Sequence, residues 1–339
     1  MRPARASGLL AAAFGVASSI TPAAAQGDLK GRNMQVYIGG GVGGAIDAVA
    51  RTFVPHLVRA LPGEPTAVQS NMGGNGGAQA AQYLYNAAAK DGLSIAMVNA
   101  GPVSDPLMRR ASLGYEPRNF GWIGSLQRGD TVCSIWHTSQ VKTIEDARQR
   151  EVPFASAGAS STLHRSALLV NAIVGTRFKP VAGFDGGTAL LALERGEVEG
   201  ICNQLASQRT TRPEWLQDGR LKPIVFVAMS VDPEFGSVPR AFDLVKEETG
   251  RQILELYLLP WEFNHSFMLP PGAPPSALAM WRTAFDKAVK EPAYLADAAK
   301  RLLKIAPRGG AEVQGLVDKL YATPKEIVAR TIAATSAKK

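Results

Sequence analysis

Short apolar runs alternate along this chain with stretches in which apolar residues recur every three or four positions. Residues 34–38 form a β-rich run ending in glycines. Residues 45–61 follow, with Ile46, Val49, Ala50, Phe53, Val54, Leu57 and Val58 at helical spacing. The pattern then repeats, predicting a strand at 66–69, a helix at 79–89 and a strand at 94–99. Further strands are predicted at 120–126, 132–136, 152–156, 178–182, 198–201, 221–229 and 262–269, with helices at 143–149, 160–174 and 186–195. The proline-rich turn 270–275 stops the last strand and opens a helix at Ser276. From there to 334 the chain reads as helical, with Leu278, Trp281, Phe285 and Val289 on one face. Strands alternating with helices of this length imply parallel βαβ units and an α/β fold.

The two ends and the composition narrow this picture. Arg2 and Arg5 precede a short apolar stretch at 9–16, and Ala23 and Ala25 supply the small residues that a signal peptidase accepts. A signal peptide at 1–25 is therefore expected, with cleavage before Gln26. The apolar stretch falls short of the roughly 20 residues that span a bilayer, and no cysteine near the cleavage point offers a lipid anchor. The mature chain is expected to be soluble and periplasmic. It would keep about 314 residues, more than one hydrophobic core organises, so two domains are expected: 26–125 with 263–339, and 126–262. Apolar residues make up 46% and charged residues 19%, which excludes a disordered chain. The formal charge of +8 is spread without a Lys/Arg block or interleaved aromatics, so no nucleic-acid partner is indicated. A mild positive field favours anionic solutes instead. The only cysteines, Cys133 and Cys202, are a disulfide candidate in an oxidising compartment; two separately buried thiols are the alternative.

Three helix starts carry candidate chemistry. Gly39 to Gly44 satisfies G-x-G-x-x-G between a strand and a helix, the pattern of a dinucleotide site. The second strand ends at Gln69, Ser70 and Asn71, however, with no acidic residue for a ribose. What survives is the physics of a glycine loop at a helix N-terminus, where free N–H groups favour an anion. A second glycine loop, Asn71 to Gly77, occupies the equivalent place in the next βα unit. Either loop can also be only a tight turn. The third start, Ser156 to Thr162, brings hydroxyls that cap a helix or bind a carboxylate, and Asp185 reads as an N-cap. Asp47 either meets an amine or hydroxyl of a ligand or bonds the first-loop amides. His56, His137, His164 and His265 lack metal-ligand spacing, so no metal and no cofactor are expected; His164 and His265 remain able to face a cleft.

The glycine loop with Asp47, then Asn71 to Gly77, then Phe154 to Gly158, resembles the extracytoplasmic receptors of tripartite tricarboxylate transporters, the Bug family. So do Glu194 to Gly200 and the proline-rich turn before Ser276. The resemblance runs over nearly the whole mature chain. Two places depart from it: Ile38, Gly39 and Gly40 stand where the family usually has prolines, and Met72 and Gly73 where many members have Arg-Pro. The resemblance implies a type II periplasmic-binding-protein fold, two α/β lobes joined by crossing strands. It implies a small carboxylate held mainly by backbone amides, with a membrane permease as partner and the receptor a monomer. Carried over by position, the contacts in lobe one would be Gly43, Gly44, Asp47, Gly74 and Asn75. Those in lobe two would be Ser156, Gly158, Ser160, Ser161 and Asp185. A periplasmic enzyme is the rival class, but no G-x-S-x-G, H-E-x-x-H or paired-carboxylate motif occurs. A ligand-sensing protein docking on a signalling receptor is the other.

Overall fold

The computed structural model describes residues 28–108, 113–159, 161–230 and 233–336. The expected signal peptide and Ser160 lie outside the described residues. The chain opens with β1 (Asn33–Ile38), α1 (Ala45–Arg59), β2 (Thr66–Asn71), α2 (Ala78–Asn86), β3 (Ser94–Val98) and α3 (Ala100–Met108). β4 (Gly121–Gln127) then crosses directly into β5 (Thr131–Trp136). There follow α4 (Ile144–Gln149), β6 (Val152–Ser156), α5 (Thr162–Val174), β7 (Phe178–Ala182), α6 (Gly186–Glu194) and β8 (Gly200–Gln204). α7 (Leu205–Thr211), α8 (Pro213–Gln217), β9 (Leu221–Val227), α9 (Ala241–Leu244) and α10 (Glu248–Leu258) lead back to β10 (Asn264–Leu269). The chain closes with α11 (Pro275–Ala288), α12 (Pro292–Lys300), β11 (Arg308–Gly309), α13 (Gly310–Tyr321) and α14 (Lys325–Ala334).

Among the described residues the strands form two sheets, ordered β11-β4-β10-β3-β1-β2 and β7-β6-β8-β5-β9. β1 runs parallel to β2 and β3, and β6 runs parallel to β7 and β8. Each sheet thus has a parallel half whose strand-to-helix loops gather on one edge, as the βαβ pattern predicts. The crossing strands β4, β5, β9 and β10 pair antiparallel within their sheets. The result is two α/β lobes joined by crossing strands.

The lobes are held together differently. In lobe one α1, α11 and α12 cover one sheet face around Phe53, whose ring meets Phe267, Phe285 and Tyr294 at centroid distances of 5.6, 5.4 and 4.8 Å. Burying such a side chain contributes about 1.5–3 kcal/mol. In lobe two Cys133 and Cys202 face each other across β5 and β8 and are bonded, which decides the question their sequence left open. Closing a loop of 69 residues stabilises the lobe by roughly 4 kcal/mol on the chain-entropy account. Trp136 is buried against Trp215 at 4.6 Å, and Phe154 stacks on Phe178 at 3.9 Å. α14 packs on α10 and α5, fastening the C-terminal segment across the back of the molecule.

The backbone departs from the predicted elements in a few places. The stretch after 276 is not wholly helical: Pro307 breaks it, and Gly309 and Gly310 bring the chain against β4 as β11. A Cβ on Gly310 would lie 2.3 Å from the Trp122 carbonyl oxygen. α3 was not predicted because Gly101 and Pro102 stand in its first turn. Its end is closed from far away in sequence, by Asn264 Oδ1 accepting the Ala100 N–H at 3.0 Å. α10 had a signal that periodicity could have found, in Ile253, Leu254, Leu256 and Leu258, all of them buried.

Candidate functional site

Because β1 and β2 are neighbours in parallel register, with Ile38 opposite Asn71, the two glycine loops after them lie side by side. They touch backbone to backbone. A Cβ on Gly73 would lie 2.9 Å from the Gly40 carbonyl carbon, and one on Gly77 would lie 2.5 Å from the Gly39 oxygen. Glycine is required there by the contact between the loops, and Gly77 also needs its φ of +95°.

Asp47 is the keystone of this pair. Buried at 3% exposure, it accepts from the Gly43 N–H, Arg51 Nε and Asn71 Nδ2, each at 2.9 Å. Asn71 Nδ2 also reaches the Gly40 carbonyl, and Arg51 bonds Asn71 Oδ1. Burial alone would raise the Asp47 carboxyl, but these hydrogen bonds and the Arg51 charge outweigh it and hold it below the usual range. Both carboxylate oxygens are spent inside the loops, so the geometry matches the second of the two roles open to Asp47. Gly43 likewise spends its N–H on Asp47, and Gly44 spends its own on Gly41 at 3.2 Å. The N–H groups of Ala45, Ile46 and Asp47 in the first turn of α1 have no acceptor among the described residues, nor do those of Gly41 and Val42 in the loop before it. No side chain caps that helix. Gly74 and Asn75 sit beside it in an exposed turn, Asn75 in the left-handed region at φ 52°.

Lobe two answers with hydroxyls. Ser156, fully buried at the end of β6, accepts the Gly158 N–H at 3.1 Å and bonds His164 Nδ1 at 3.0 Å. Ser161 caps α5, accepting the His164 N–H and donating to the Gly158 carbonyl. The structure thus brings Ser156, Gly158 and Ser161 into one hydrogen-bonded loop with His164, whose Nε2 is buried with no partner. Burial and the nearby Arg165 charge lower the His164 pKa, which keeps the ring neutral. Asp185 stands at the N-cap of α6, its N–H donating to Thr188 Oγ1 at 2.8 Å, and the Phe184 N–H ties this loop to the Ser156 carbonyl. No hydrogen bond among the described residues joins these loops to the glycine loops of lobe one.

Between the lobes lies a chamber of about 880 Å³. Ala45, Ala48 and Val49 of α1 form one wall, Ala206, Ser207 and Leu216 of lobe two form another, and the crossing segments with Glu262 and His265 form the floor. Glu262 is pinned there by Arg308, which also bonds its carbonyl. His265 has φ +56° within a strand, a conformation that costs a non-glycine residue about 1–3 kcal/mol. Among the described residues no group of three or more His, Cys, Asp or Glu is placed to hold a metal ion, and no helix is long and apolar enough to cross a membrane.

Helix-starting loops on two hinged α/β lobes around a chamber define a solute-binding protein with the type II periplasmic-binding-protein fold. The family model described as "Tripartite tricarboxylate transporter family receptor" matches residues 49–313. The chain belongs to that family. Its fold matches a TctC solute-binding protein from Polaromonas, solved without ligand, at TM-score 0.70 and 18% identity, covering 88% of this chain and 98% of that one. It also matches MatC from Rhodopseudomonas palustris with bound malate, at TM-score 0.60, 20% identity and coverage of 90% and 99%. A further R. palustris protein, solved with adipate, matches at TM-score 0.63, 20% identity and coverage of 89% and 98%. A search of curated protein sequences returns no match.

Proposed function

We propose that this protein binds a small carboxylate between its lobes in the periplasm and delivers it, as a monomer and without chemical change, to a membrane permease. The observation that carries the reading is the uncapped first turn of α1, whose three unpaired N–H groups begin at Ala45 on the chamber wall. A helix N-terminus favours an anion by 0.3–1 kcal/mol, and by about 2 when partly buried. Micromolar capture needs about 8 kcal/mol, so direct amide bonds and exclusion of water on closure supply the rest. The malate and adipate held by the two structural relatives support a carboxylate as the solute.

Lobe one would comprise 26–125 with 263–339 and lobe two 126–262, closing about the crossing strands so that Ser161 and Asp185 approach Gly74 and Asn75. The Ser156–His164 pair has the spacing of a nucleophile and its base. Ser156 is nevertheless fully buried and already bonds the Gly158 N–H, so no substrate carbonyl reaches it. That supports binding without turnover.

The test is a thermal-shift series of the purified protein with mono-, di- and tricarboxylates beside their amides. A ligand at 100 times its Kd adds about 2.7 kcal/mol and raises the Tm by several degrees. Ala45→Pro removes one of the three N–H groups at a position where proline suits a helix, and Gly44 before it is already extended. The substitution should weaken an acid about tenfold at unchanged Tm without ligand. If every acid binds this variant as it binds the native chain, the carboxylate is not at α1.

A further inference from the structure

His265 is a buried polar side chain of the chamber floor whose hydrogen-bonding capacity the lobes leave unmet. It is 6% exposed and lines the chamber, yet Nδ1 is buried without a partner and no hydrogen bond among the described residues reaches Nε2. Buried polar groups are almost always hydrogen-bonded, so an orphaned imidazole against a chamber marks a place for something not yet there. Its neighbours hold it in position. Asn264 is anchored to the Ala100 N–H, and Ser266 donates to the Phe263 carbonyl. These anchors flank the left-handed conformation at His265.

We propose that His265 reads the end of the bound acid remote from its carboxylate, and that it selects a neutral hydrogen-bonding group there, a hydroxyl, carbonyl or amide. The inference rests on the reading that the carboxylate sits at the first turn of α1. Ala45 and His265 line the same chamber, and β1 and β10 are separated only by β3. The chamber's volume of about 880 Å³ accommodates an acid of six carbons.

Burial pushes the His265 pKa down to about 4, so near neutral pH the ring carries one N–H and one lone pair and no charge. Such a group can donate to a carbonyl or accept from a hydroxyl, but it offers no charge to a second carboxylate. Of the cations lining the chamber, Arg128 is paired with Glu262, Arg209 with Glu234, and Lys304 also has a partner; Arg301 is exposed at the rim.

Calorimetry with hexanoate, 6-hydroxyhexanoate and adipate tests this on the purified protein. 6-Hydroxyhexanoate should bind at least tenfold more tightly than hexanoate or adipate. His265→Gly relieves the backbone conformation and so folds, and it should remove that preference while leaving hexanoate within about twofold. His265→Asn, which tolerates the left-handed region, should keep part of the preference. Tighter binding of adipate in the native chain, or an equal loss for all three acids in His265→Gly, overturns the proposal. Hexanoate binding that is weakened by Ala45→Pro, with no preference for the hydroxyl, overturns this proposal alone. If none of the three acids binds, this proposal falls, while the carboxylate reading stands or falls on the wider series of acids.

Discussion

The two sides of the cleft are built from different chemistry. In lobe one, bare backbone does the work: glycines let two loops touch, and one buried carboxylate, Asp47, gathers an amide, a guanidinium and a carboxamide. In lobe two, neutral groups do it: Ser156, Ser161 and His164 close one loop through hydroxyls and an imidazole. Charge-assisted hydrogen bonds are about twice as strong as neutral ones. On the proposed reading, lobe one would be the preformed half of the site and lobe two the half that adapts on closure. Their scaffolds invert this order. The strand beneath the neutral loop is in the lobe stapled by Cys133–Cys202, while the charged loops stand on aromatic packing without a crosslink.

That contrast can be broken by substitution. Cys133→Ala with Cys202→Ala should destabilise lobe two by roughly 4 kcal/mol in chemical denaturation, with the lobe-one transition little changed. A uniform loss across both lobes would mean that they unfold as one unit, coupled through α14. Asp47→Ala leaves three donors without their acceptor and should cost about 3 kcal/mol, together with carboxylate binding. A loss under 1 kcal/mol would show that the loops hold without it.

Acidification separates two groups by pH. Native His265 resists protonation that the unfolded chain accepts. Stability is thus complete above the ordinary value of 6.5 and falls towards about 4, by roughly 3 kcal/mol. Asp47 has a folded pKa below its usual value, so its contribution is present above about pH 4 and is lost only as pH falls further. His265→Gly should flatten the first decline and Asp47→Asn the second, read as denaturation midpoints against pH. The smallest effect should come from Ser161→Ala, about 1 kcal/mol for one lost N-cap.

Much of the fold was legible in advance. Helical spacing in 45–61 and the apolar runs around it announced parallel βα units, and these govern local backbone choice wherever one face of an element must be buried. The glycine loops were legible as loops, but their reason was not. Gly73 and Gly77 answer to Gly40 and Gly39, contacts that exist only once β1 and β2 pair. The assignment of amides was equally hidden. Gly43 and Gly44 spend their N–H groups on Asp47 and Gly41, while those of Gly41, Val42 and the first turn of α1 stay unpaired.

By itself, the sequence determined the class of fold, the order of strands β1 to β10 and the places where helices begin near a sheet edge, since periodicity and turn chemistry are local. Tertiary structure alone decided that Cys133 meets Cys202, that Asn264 closes α3, and that His265 is buried without a partner at the floor between the lobes. Each of those depends on residues far apart in the chain arriving at one point. Burial and unmet hydrogen-bonding capacity are properties of that point, not of the residues that reach it.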